Sequence, residues 1–82
     1  MILIFGGSYQ GKLDLAKEKF NITHQDCYDC TFAVDFSYKV LYNLDKYIFH
    51  LIENDIHPTD FVLNNLNRFQ DKIVILTDNS CG

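Results

Sequence analysis

The residues best suited to chemistry are Gly6-Gly7-Ser8-Tyr9-Gln10-Gly11-Lys12, which have the spacing G-x-x-x-x-G-K. They follow a short apolar run and precede a segment with helical periodicity, the context in which this pattern cradles phosphate. Glycines at the start allow a tight turn that presents consecutive backbone N–H groups to phosphate oxygens. A helix N-terminus behind them adds about half a positive charge. Lys12 can then reach the β- and γ-phosphates of a nucleotide. The next residue is Leu13, where a Ser or Thr hydroxyl would hold Mg²⁺. A leucine cannot ligate a metal, so Mg²⁺ bound with ATP or GTP must be held through water and acidic residues elsewhere.

Other patterns are weaker. His24, Cys27 and Cys30 form H-x₂-C-x₂-C, with Cys81 as a distant fourth ligand. Such a set suits zinc, but only one knuckle is present, and reduced cysteines packed in or near a strand are the stronger reading. Asp14 and Glu18, one helical turn apart, read as a solvated face. His50 falls within a long helical segment, and His57 simply precedes Pro58.

These groups need a scaffold to hold them. Ile2-Leu3-Ile4-Phe5 is a continuous apolar run that reads as a fully buried strand. Residues 12–20 carry Leu13, Ala16 and Phe20 at helical spacing. Residues 21–26 are polar and read as a connection. Residues 27–32 read as a second strand. Residues 37–56 have apolar positions every three or four residues, which predicts one long amphipathic helix with Ser37 as its N-cap. Pro58 suits the first turn of a further helix running to about 69. Lys72-Ile73-Val74-Ile75-Leu76 reads as another buried strand. The expected order is β-α-β-α-α-β: a small three-layer α/β domain with a parallel sheet, spanning 1–82 as a single unit. A core strand directly before Ser80-Cys81-Gly82 suggests a sheet incomplete at the C-terminus, because a parallel strand normally leads into a covering helix.

Composition sets outer bounds. The chain has 82 residues, 48% hydrophobic and 22% charged, which is a globular balance. Net charge is −4, and lysines and arginines form no basic run, which argues against nucleic acid as a partner. No stretch approaches a membrane span of about 20 apolar residues, and the short N-terminal run lacks the basic flank of a secretory signal. A cytoplasmic protein with reduced thiols is expected. Tyr38, Tyr42, Tyr47 and Phe49 lend the long segment an aromatic character, which serves packing or homo-oligomer formation.

The two ends of the chain carry a resemblance. GGSYQGK after MILIF resembles the start of the bifunctional adenosylcobinamide kinase and adenosylcobinamide-phosphate guanylyltransferase family. Ile75-Leu76-Thr77-Asp78-Asn79-Ser80-Cys81-Gly82 resembles the family segment in which a buried strand enters an S-N-E-V-G-x-G motif, or its clostridial-type variant S-D-D-I-S-C-G. The middle agrees in length and pattern only. The resemblance implies a P-loop NTPase-like fold and transfer of a nucleotide γ-phosphate to the hydroxyl of a corrinoid substrate, adenosylcobinamide. It places Gly6, Gly7, Gly11 and Lys12 at the phosphate loop. It places Asp78 at the family's acidic position, where it binds Mg²⁺ through water or positions substrate. The family's guanylylated histidine has no counterpart among His24, His50 and His57, so the second activity is not implied. The family's I-V-P segment and long C-terminal region have no counterpart here either, so the chain reads as an N-terminal part of such a protein or as an unusually minimal domain.

Overall fold

A computed structural model of the chain describes residues 1–5 and 9–76. The elements are strand β1 (Ile2–Phe5), helix α1 (Tyr9–Phe20), a 3₁₀ turn (His24–Asp26), strands β2 (Cys27–Asp29) and β3 (Val40–Tyr42), helices α2 (Leu44–Glu53), α3 (Pro58–Asn64) and α4 (Leu66–Phe69), and strand β4 (Ile73–Leu76). The four strands form one sheet in the order β1-β4-β3-β2, and every pairing is parallel.

Alternation along the strands divides the core in two. On one face Val40, Ile73 and Ile75 pack with Ala16 and Ile22, and Ile4, Phe20, Cys27 and Tyr42 close around them. On the other face Leu41 and Val74 pack with Cys30 and Phe69, flanked by Leu44, Tyr47 and Phe61. Thus α1 covers one side and α2 to α4 the other, giving the expected three layers. Leu13 is 1% exposed, so helix α1 turns that side chain inward.

The segment 37–56 is not one helix. Val40 and Leu41 are consecutive, and both are fully buried in different core clusters. Burial on two opposite faces is what a strand offers and a helix stripe does not. Ser37 is not an N-cap: its backbone N–H and Oγ donate to Asp35 Oδ1 at 2.9 and 2.6 Å, closing a turn ahead of β3. Helix α2 starts after Asn43, whose φ of 61° is left-handed. It ends with Asp55 at φ 59°. There the Ile56 N–H donates to Leu51 O at 2.9 Å and the Asp55 N–H to Ile52 O at 3.1 Å, the Schellman arrangement with aspartate where glycine is usual.

Other boundaries shift. The second strand stops at Asp29 and does not reach residue 32. Pro58 opens α3 as expected, but the helix breaks at Asn65, whose Nδ2 donates to Phe61 O at 2.7 Å. Side-chain capture of a helical carbonyl ends one helix and starts the next. The described order is therefore β-α-β-β-α-α-α-β. Residues 30–39 join parallel β2 to parallel β3 without a helix.

The two apolar strands nearest the ends of the chain pair in parallel as expected, with Ile2, Leu3, Ile4 and Phe5 opposite Ile73, Val74, Ile75 and Leu76. Strand β4 is buried, but β1 is not: Leu3 is 54% and Phe5 70% exposed. The order of the sheet leaves β1 at an edge, with α1 on one face and little over the other. Among the described residues, no helix is long and apolar enough to cross a membrane.

Candidate functional site

A parallel sheet brings the carboxyl ends of its strands to one rim, where open α/β sheets bind ligands. Here that rim is formed by Phe5, Leu76, Tyr42 and Asp29. Phe5 and Leu76 are direct partners. The chain therefore leaves β1 toward Gly6 and leaves β4 toward Asp78 from adjacent points. Gly6, Gly7, Ser8 and Asp78 lie outside the described residues, as do the side chains of Tyr9, Gln10 and Lys12.

The backbone of Tyr9, Gln10, Gly11 and Lys12 belongs to helix α1, which starts at Tyr9. The helix was expected to begin at Lys12. The second half of the G-x-x-x-x-G-K pattern is thus helix, and only residues 6–8 join strand to helix. The first turn of any helix has N–H groups without intrahelical partners, and these belong to the residues of the motif. With α1 oriented so that Ala16 meets Ile73 and Ile75, burial of Leu13 gives that position a packing role and leaves no side-chain oxygen there for a cation.

A polar cluster at the far end of the rim was not anticipated. Asp29 Oδ1 accepts from the Thr31 N–H at 3.0 Å, Thr31 Oγ1 at 2.6 Å and Asn43 Nδ2 at 3.1 Å. Lys46 Nζ donates to Asn43 Oδ1 at 3.2 Å. Partial burial pushes the Asp29 pKa up. The Thr31 and Asn43 hydrogen bonds and the Lys46 charge outweigh that and hold it below its ordinary value. The cluster ties the end of β2 to the start of α2. Its signal in the sequence was Asn43, a good capping residue immediately before the apolar periodicity of Leu44, Tyr47, Ile48 and Leu51.

The H-x₂-C-x₂-C pattern is dispersed. Cys27 packs in the cluster beneath α1, and Cys30 in the cluster on the opposite face, so strand geometry sends the two thiols apart. Among the described residues no group of three His, Cys, Asp or Glu side chains could hold a metal ion; Cys81 lies outside them. Burial pushes the Cys30 thiol up to about 12, helped by the charges of Asp29 and Asp35. It stays protonated and unreactive at neutral pH. Asp14 and Glu18 are both exposed on α1, as a solvated face requires.

No protein-family model matches the chain, and neither a curated protein nor a solved structure matches it significantly.

Proposed function

We propose that the chain binds the phosphates of ATP or GTP through Gly6 to Lys12. On this reading it is a P-loop NTPase-like nucleotide-binding domain related to the adenosylcobinamide kinases, working in the cytoplasm on a corrinoid acceptor. The observation that carries the reading is the position of the motif. It begins directly after β1 and ends in the first turn of α1, at the carboxyl end of a parallel sheet. Backbone N–H groups and a helix N-terminus then converge on one anion site. The adjacency of β1 and β4 supports a role for Asp78, which follows β4 by two residues. Lys12 supplies a positive charge, and the acceptor hydroxyl attacks the γ-phosphorus, losing its proton as the new P–O bond forms while the bond to the β-phosphate oxygen breaks and the nucleoside diphosphate leaves. With Leu13 buried, any Mg²⁺ is held through water and acidic groups outside the loop. Nucleotide binding is therefore expected to be weak and phosphate transfer slow.

Calorimetric titration with ATP and GTP in the presence of Mg²⁺ tests this. Lys12→Ala removes a charge-assisted contact worth about 1.5–3 kcal/mol, so affinity should fall at least about tenfold. Lys19→Ala, on the exposed side of the same helix, should change nothing. A phosphate-transfer assay on adenosylcobinamide tests the acceptor. Absence of binding to either nucleotide would defeat the proposal.

A second reading rests on a different observation. Leu13 packs in the core, and β1 exposes an apolar edge. Both suit a non-catalytic interaction module that keeps the fold without the phosphate chemistry.

A further inference from the structure

Strand β1 carries two features that fit each other. The first is its free backbone edge. The Ile2 N–H donates to Lys72 O at 2.9 Å, so Ile2 and Ile4 turn their N–H and C=O groups toward β4. By alternation, Leu3 and Phe5 turn theirs outward, and among the described residues no strand pairs with that side. The second is a knob beside a groove. Leu3 forms one wall of an apolar groove of about 320 Å³, with Met1, Leu44, Val62, Leu66 and Phe69 around it. Phe5 lies two residues further along β1, on the same face of the sheet, and is 70% exposed.

We propose that two copies of this chain pair through β1, antiparallel and about a twofold axis at Ile4. An isologous contact needs a surface that complements itself, and this register provides one. It sets Leu3 of each copy opposite Phe5 of the other, as hydrogen-bonded pairs about 5.5 Å apart at Cα. The outward groups of Leu3 and Phe5 then form about four new backbone hydrogen bonds. The Phe5 ring of each copy lies beside the other's Leu3, over the mouth of its groove. Strand β1 has no charged residue, proline or bulge to repel a second copy, the devices that normally protect an edge. Met1 and Leu66 are also more than half exposed next to the groove, and they add apolar area to the contact. A contact built on one four-residue strand and its groove is small beside the roughly 800 Å² per partner of a stable interface, so the dimer dissociates on dilution. In an antiparallel pair the two carboxyl rims point in opposite directions. The pairing draws on β1 and its groove and does not rest on nucleotide binding.

Sedimentation equilibrium over a wide concentration range tests the pairing. The expected result is a reversible shift from 9.6 kDa to twice that mass, without larger species. Phe5→Lys should remain monomeric at every concentration, with unchanged circular dichroism. Phe32→Lys, at a similarly exposed aromatic beyond the opposite edge strand β2 (77% exposed), should dimerise like the parent chain. If Phe5→Lys fails to fold, hydrogen exchange on the unmodified chain decides the matter. The Leu3 and Phe5 amides should gain protection as concentration rises, whereas Ile2 and Ile4 should be protected throughout. A chain monomeric at its solubility limit, an open-ended series of masses, a dimeric Phe5→Lys, or Leu3 and Phe5 amides indifferent to concentration would each overturn the proposal.

Discussion

Strands β1 and β4 are nearly the same peptide. One reads Ile-Leu-Ile-Phe and the other Ile-Val-Ile-Leu, and they lie side by side in register. Yet three of the four β4 residues are buried, while three of the four β1 residues are exposed. Both are unbroken apolar runs with isoleucine at the first and third positions, so apolar character alone does not explain the difference. Position in the sheet does. Strand β4 has a hydrogen-bonded neighbour on each side and helices over both faces. Among the described residues strand β1 has one neighbour, and on the Leu3 and Phe5 face it borders an open groove. An edge position alone is not sufficient for exposure. Strand β2 is the other edge, yet its Cys27 and Tyr28 are half-buried against the two core clusters, and Cys30 just beyond it is fully buried. Among the described residues, what β1 lacks is a cover on one face.

Truncating matched positions tests the comparison with the largest expected effect. Ile75→Ala opens a cavity at a fully buried site and should cost about 2–5 kcal/mol in urea unfolding. Phe5→Ala, measured on dilute protein so that self-association does not enter, should cost less than about 1 kcal/mol. Equal losses would mean that β1 is covered in solution.

The second edge can be read through its thiol. The Cys30 pKa is raised from 9.0 to about 12 by burial. A group whose folded pKa is raised contributes stability that is complete below its unfolded value and is lost as pH climbs through the folded one. Stability should therefore fall progressively from pH 9.0 toward about 12, and Cys30→Ala should flatten that decline. In native protein at neutral pH, a thiol reagent should modify half-buried Cys27 readily and leave Cys30 intact, a contrast that mass mapping checks.

The smallest effect concerns the helix layer that covers β4 and leaves β1 open. Asp55 ends α2 at φ 59°, a conformation that glycine adopts without steric cost. Asp55→Gly should stabilise the chain by about 0.5–1 kcal/mol, seen as a higher denaturation midpoint with an unchanged slope. Destabilisation would show that Asp55 makes a contact worth more than the backbone strain it bears.

Much of the scaffold could be read from local chemistry. The inward side of α1 follows from Leu13, Ala16 and Phe20, the start of α3 from Pro58, and β4 from an unbroken apolar run. Strand β3 could not be read that way. Val40, Leu41, Leu44, Tyr47, Ile48 and Leu51 satisfy helical spacing from end to end, and the helix pattern absorbs the three residues that pair with β4. The break at Asn43 carried a capping signal, but a capping residue inside a continuous period does not by itself outweigh that period. The rim cluster stayed hidden for the same reason. Asp29 and Asn43 meet only because β2 and β3 lie side by side, a pairing between residues distant in the chain.

The sequence by itself determined the α/β class, the parallel relation expected of its two apolar strands, and that G-x-x-x-x-G-K follows a strand and leads into a helix. These depend on periodicity and turn chemistry over a few neighbouring residues. Tertiary structure alone decided which apolar strand is interior, where the long periodic segment changes from strand to helix, and which sides the two thiols take. Burial is a property of the assembled sheet. A four-residue apolar strand has the same transfer free energy in the chain wherever it lies, and only the order β1-β4-β3-β2 determines whether water is removed from one of its faces or both.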